Sequence, residues 1–150
     1  MKIPGPDHPI TIAPADGRWQ ARFEGQVVAD SAHALVLREA NYPPVVYFPR
    51  EDVAMAQLSR TERSTHCPYK GDASYYSVGQ TPAGASAVWT YETPFPAMAE
   101  IGGFLAFYAD RVEVREALKA LVQRESARRL ARLGGSAPDL ELPPRRRSPP

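Results

Sequence analysis

The chain carries one cysteine, Cys67, in 150 residues, so no internal disulfide can staple it and a reducing compartment is its expected setting. Histidine is almost as scarce. His8, His33 and His66 are scattered, with no CxxC, no HExxH and none of the paired spacing that structural zinc uses. Neither a metal site nor a cofactor is expected. Phosphate-cradling loops are missing as well: there is no GxGxxG, and Lys70-Gly71 reverses the ending of a P-loop. No stretch approaches the roughly 20 apolar residues that span a bilayer. The opening Met1-Lys2-Ile3-Pro4-Gly5-Pro6-Asp7-His8 has no apolar run resembling a signal peptide. A cytoplasmic location is the expectation.

Long helices are disfavoured too, because the chain has 16 prolines, each lacking an amide donor and clashing with the preceding helical turn. What remains is an ordinary globular composition, long enough to bury one core. The net charge of +1 conceals an asymmetry. Residues 1–115 hold ten Lys/Arg against thirteen Asp/Glu, and residues 116–150 hold eight against four. A mildly acidic body with a basic tail is not the pattern of a dedicated nucleic-acid binder, which puts a basic face on the fold itself.

Short strands with turns between them dominate the reading. Ile10-Thr11-Ile12-Ala13 is followed by the turn Pro14-Ala15-Asp16-Gly17, and Arg18 to Phe23 alternates at period 2 before a hairpin into Val27-Val28-Ala29. Ala34 to Leu37 and Val45 to Phe48 are compact runs bounded by prolines. A short helix is expected after Asp52, with Val53, Met55, Ala56 and Leu58 on its apolar face. Segment 61–74 is polar and reads as a loop. Strands return at Tyr75–Val78 and Ala87–Tyr91, and Phe104–Tyr108 with Val112–Val114 reads as a final hairpin around Ala109-Asp110-Arg111. From Glu116 the apolar period becomes helical through Leu118, Leu121, Val122, Leu130 and Leu133 until Gly134-Gly135. Ser136–Pro150 is Pro/Arg-rich with almost nothing to bury.

Chemistry concentrates in Thr65-His66-Cys67-Pro68-Tyr69-Lys70-Gly71. Nearby cations favour a thiolate at Cys67, and Lys70 suits a phosphate or carboxylate. Pro68 pushes Cys67 towards an extended conformation. The plainer alternative makes Cys67 a small buried hydrophobe and Lys70 a surface charge. Aromatics form a second constellation: Tyr42, Tyr47, Tyr69, Tyr75, Tyr76, Trp89, Tyr91 and Tyr108 lie at or near strand ends. Such rings either anchor the core with a wet hydroxyl or line a ligand pocket. Arg38-Glu39, closing an apolar strand, adds a candidate charge pair, either buried or at a pocket edge.

These residues carry a resemblance. Asp30-Ser31, Arg38-Glu39, Pro43-Pro44-Val45-Val46-Tyr47-Phe48-Pro49-Arg50-Glu51-Asp52-Val53, Thr65 to Tyr76, Ala87 to Tyr91 and Ile101 to Tyr108 follow in the order of the bacterial family called domain of unknown function 427 (DUF427). From about Trp19 to Val114 the chain resembles that family. The resemblance implies a compact, β-rich, cytoplasmic domain, and it raises Glu39, Tyr47, Lys70, Trp89 and Tyr108 as motif positions without giving any of them a role. Some classifications give the family a nucleotidyltransferase label. Its glycine-serine and paired-carboxylate pattern is not found within residues 19–114.

The expected architecture is therefore mainly β: a small barrel- or sandwich-like domain over 1–115 with one short helix, then an amphipathic basic helix over 116–135 and a disordered tail over 136–150. Two functional readings stand. In the first, a pocket beside loop 64–71 binds or acts on a small anionic or polar ligand. Lys70, Glu39 and Cys67 are its candidate catalytic groups, and Arg38, Glu39, Tyr47, His66, Lys70, Tyr75, Trp89, Tyr91 and Tyr108 its candidate binding groups. In the second, the basic helix and the Arg145-Arg146-Arg147 run recruit an acidic partner through weak, salt-sensitive charge contacts. A homodimer is a candidate assembly.

Overall fold

The structure, a computed structural model, describes residues 1–117, which are built from antiparallel strands. In chain order they are β1 (Ile10–Pro14), β2 (Trp19–Phe23), β3 (Gln26–Ser31), β4 (Leu35–Glu39), β5 (Val45–Tyr47), β6 (Leu58–Cys67), β7 (Gly71–Val78), β8 (Val88–Thr90), β9 (Leu105–Phe107) and β10 (Glu113–Glu116). They form three sheets, ordered β1-β4-β5, β10-β2-β3 and β6-β7-β8-β9. The mainly β expectation holds. Residues Met1–Arg115 make one compact unit. Glu116 closes β10, and the rest of the helix expected over 116–135 lies outside the described residues, as does the tail expected over 136–150.

Three local expectations need correction. The stretch 61–74 is not a loop but most of the β6–β7 hairpin, paired from Leu58↔Val78 to Cys67↔Gly71. Most of β6 is exposed on both faces, so no apolar alternation marks it as a strand. Its pairing is held by backbone bonds, interrupted by a bulge between Arg60 and Ser64. The helix after Asp52 is instead two 3-10 turns, Arg50–Asp52 and Met55–Gln57, on either side of an extended Val53 that bridges to Ala29. The Ala54 amide donates to the Val28 carbonyl at 2.8 Å, so this backbone serves the edge of β3 rather than a helical ladder. Asp52 caps nothing and accepts the Ser31 hydroxyl at 2.6 Å. Finally, β9 and β10 are not a hairpin. β9 pairs with β8, β10 joins β2, and the turn after Tyr108 hands the chain from one sheet to another.

The four-stranded sheet β6-β7-β8-β9 is covered on both faces, which follows from the period of two in side-chain direction. Tyr76, Val78, Val88, Leu105 and Phe107 project to one side, into a core completed by Ala21, Phe23 and Val28 of the β10-β2-β3 sheet. Ala73, Tyr75 and Ala106 project to the other side, where Leu37, Tyr47, Met98 and Ile101 meet them. The backbones of Phe48 and Leu105 exchange two hydrogen bonds at 2.8 Å, tying the end of β5 to β9. That bridge brings β4 and β5 alongside the second face, where the candidate site lies.

Packing on the first face is tight at Gly84. A Cβ there would stand 1.8 Å from the Val78 carbonyl oxygen and 3.1 Å from the Phe23 ring. Gly84→Ala must therefore displace backbone, at a cost of about 3 kcal/mol. Urea denaturation measures this, and a loss under about 0.5 kcal/mol would contradict the packing.

Candidate functional site

Strand alternation selects which side chains can meet. On β4, Leu37 and Glu39 share a face; on β5, Val45 and Tyr47 do; at the end of β8, Trp89 and Tyr91 do. With Tyr75 from β7, Tyr108 just past β9 and Lys70 from the β6–β7 turn, they surround one cleft of about 260 Å³. Tyr42 and Pro43, from the β4–β5 connection, form its lip. Lys70 is delivered by a three-residue connection closed at Gly71, whose φ of 113° is open to glycine but strained for other residues.

The inner end is ionic. Lys70 Nζ donates to Glu39 Oε1 at 2.5 Å, and the two side chains are only 9% and 14% exposed. The surface-charge reading of Lys70 is thus overturned: its ammonium is inside, where the Glu39 carboxylate compensates it. The second carboxylate oxygen, Oε2, lies 2.7 Å from His8 Nε2. His8 is held in place by stacking on Tyr69 with ring centroids 4.1 Å apart, and the Lys2 amide donates to the Pro68 carbonyl at 2.7 Å. Burial alone would raise the Glu39 pKa, but the bonds from Lys70 and His8 outweigh it and hold the carboxyl below the ordinary glutamate range. Lys70 also approaches Cys67 Sγ at 3.6 Å.

The walls are aromatic and fixed to one another. Trp89 Nε1 donates to the Tyr47 hydroxyl at 3.2 Å, the two rings meet edge to face, and Trp89 packs on Tyr108 with centroids 4.6 Å apart. The Tyr75 hydroxyl lies 2.9 Å from Thr65 Oγ1 and 3.4 Å from the Tyr108 hydroxyl, with the Arg63 guanidinium over its ring. Burial would raise Tyr75, yet those hydrogen bonds and the Arg63 charge lower it overall. Tyr108 is pushed up to about 12 by burial and by its bond to Tyr75. Burial drives Tyr47 and Tyr91 upward as well, so both remain protonated donors. Their hydroxyls differ from the rest. Tyr47 accepts from Trp89 but has no acceptor for its own proton among the described residues, and Tyr91 has no side-chain hydrogen bond among them at all.

Seven of the nine candidate binding residues thus surround the cleft: Glu39, Tyr47, Lys70, Tyr75, Trp89, Tyr91 and Tyr108. Arg38 does not; it is exposed on the opposite face of β4. His66 does not either. It projects away from Thr65 and Cys67 and pairs with Asp72 at 2.7 Å on the surface. Cys67 is half-buried, packs against the cluster that includes Tyr47 and Tyr91, and lies beside Lys70 without lining the cleft itself. Leu37 and Val45 could have been found by stepping two residues along the strand from Glu39 and Tyr47. His8 carried no such signal, because 31 residues separate it from Glu39. Among the described residues no group of three or more His, Cys, Asp and Glu converges as metal ligands, and no helix is long and apolar enough to cross a membrane.

A family model described as a domain of unknown function (DUF427) matches residues 11–117. The chain belongs to the DUF427 family. A comparison with curated proteins finds no match. Within the DUF427 match, the motif positions divide by task. Glu39, Tyr47, Lys70, Trp89 and Tyr108 face the cleft. Asp30, Ser31 and Asp52 instead lock the other side of the fold: Asp30 receives Arg18 at 2.7 Å, and Asp52 receives Ser31.

Removing one partner of a buried ion pair strands the other. Lys70→Met is expected to cost about 3–5 kcal/mol, and the double variant Lys70→Met/Glu39→Leu to recover most of it, as read by denaturant midpoints. Because the folded Glu39 pKa is depressed, its contribution is full above the unfolded value of about 4.3 and disappears as pH falls through the folded value. The Tm gap between wild type and Glu39→Gln should be constant above about pH 5 and narrow below about pH 4.3. A gap that widened in acid would contradict the pairing.

Proposed function

We propose that this domain binds a small molecule with a polar or anionic group in the cleft between Glu39–Lys70 and the aromatic walls. The observation that carries this reading is convergence. Side chains from β4, β5, β7 and β8, from the β6–β7 turn and from the residue after β9 surround one concavity with a charged end and an apolar body. Ligand sites share that design: apolar walls give affinity, and a few placed polar groups give orientation. The hydroxyl protons of Tyr47 and Tyr91 add a reason to expect an occupant, since buried donors are rarely left without acceptors. An ion pair that merely closed the β6–β7 turn would account for Lys70 and Glu39, but not for the two hydroxyls.

The test uses the two tryptophans as paired reporters. Trp89 faces the cleft, whereas the Trp19 indole donates to the Asp16 carbonyl at 2.8 Å away from it. In a screen of small molecules by NMR, binders should move the Trp89 indole signal and leave that of Trp19 in place. Val45→Phe, filling the cleft from β5, should weaken any such binder at least about tenfold with an unchanged circular dichroism spectrum. A screen that never moves Trp89, or a binder indifferent to Val45→Phe, would sink the proposal.

A further inference from the structure

We propose that the cleft selects a small apolar monocarboxylate, its carboxylate held by Lys70 and the hydroxyls of Tyr47 and Tyr91. This deepens the binding reading above and rests on it. The first support is the balance of donors and acceptors. An ammonium has three N–H donors; Lys70 commits one to Glu39 and aims another weakly at Cys67 Sγ at 3.6 Å, leaving one. The Tyr47 proton has no acceptor among the described residues, and Tyr91, 7% exposed, has no side-chain bond among them. Both Glu39 oxygens are already engaged by Lys70 and His8. What the polar end holds out to an incoming molecule is therefore one ammonium hydrogen flanked by two hydroxyl protons, three donors that one acceptor-rich group can satisfy together. A carboxylate supplies two oxygens and up to four lone pairs for such donors.

Charge decides how many negative charges fit. Glu39 and Lys70 offset each other, and the Arg63 and Arg111 guanidinium groups lie over the rings of Tyr75 and Tyr108, 4.7 and 5.0 Å from their centroids, so the charge around the cleft favours an anion. A carboxylate adds a single negative charge there, whereas a phosphate dianion brings a second that is costlier to take out of water. A cationic ligand would meet the Lys70 ammonium itself. Size sets the body. About 260 Å³ lies just under the roughly 300–1,000 Å³ of drug-sized sites. It suits a single ring or a branched aliphatic chain against Trp89, Tyr108, Leu37 and Val45.

Four probes of similar shape separate the charges: benzoate, benzamide, benzylamine and phenyl phosphate, titrated into the full chain while the Trp89 and Trp19 indole signals are followed. Benzoate should move Trp89 alone and bind at least about tenfold more tightly than each of the others. Tyr91→Phe, which keeps the ring, should weaken benzoate about tenfold and leave Tm unchanged or raised, because it removes an unpaired buried hydroxyl. Benzamide binding as well as benzoate, tighter binding of benzylamine or phenyl phosphate, or benzoate leaving Trp89 unmoved would each overturn the carboxylate assignment. So would a Tyr91→Phe variant that binds benzoate like wild type, or one whose Tm falls and so reveals a structural bond. A different class of molecule that moves Trp89 and is blocked by Val45→Phe would leave the binding cleft standing while removing the carboxylate. Silence across the whole screen would remove both.

Discussion

Lys70 and Glu39 meet at 2.5 Å with both side chains largely out of water, and the local architecture is arranged around keeping them together. Neither charge could stay there alone, because desolvation would cost each several kcal/mol. The pair therefore obliges the tip of the β6–β7 hairpin to stay against the end of β4, and Gly71 gives the turn the backbone angle this needs. The same carboxylate then recruits His8, which brings the N-terminal segment over the turn through the Tyr69 stack and the Lys2–Pro68 backbone bond. Three stretches of chain far apart in sequence are organised by one carboxylate that takes a bond on each oxygen.

Around that point the cleft is a product of strand geometry. The central sheet has two buried faces. The face towards β2 and β3 is filled by interlocking side chains such as Phe23, Val78 and Leu105, with Gly84 letting backbone meet backbone. The other face carries large amphipathic residues, namely Tyr47, Tyr75, Trp89, Tyr91 and Tyr108. Rings of this size, fixed edge to face and through the Trp89–Tyr47 bond, do not collapse together as aliphatic side chains do. The concavity persists because its walls are stiff.

Much of this was legible where period and chemistry agree. The β2–β3 hairpin, β4, β5 and β8 could be read from apolar alternation and turn residues, and the tyrosines, Trp89, Glu39 and Lys70 could be picked out as one constellation. The failures have physical causes. β6 presents polar side chains on both faces, so its strand character rests on backbone pairing that composition does not report. The turns around Val53 have helical spacing, but Val53 itself is extended against Ala29 and the Ala54 amide is claimed by β3. Arg38 was grouped with Glu39 through adjacency, although neighbouring residues on a strand face opposite ways. The same rule removes His66, which sits between Thr65 and Cys67. Contact between His8 and Glu39 is tertiary in origin and has no local signature.

The thiol that first draws the eye in Thr65–Gly71 is not what the fold is built to present. Cys67 ends β6 half-buried, touching Lys70 from the side. What the fold leaves unmatched lies deeper in the cleft. Each Glu39 oxygen already takes one of the chain's own donors, while one lysine N–H and the Tyr47 and Tyr91 protons have no acceptor among the described residues. Those donors were dried when the chain folded, so an oxygen that satisfies them gains more than it would from the same groups in water.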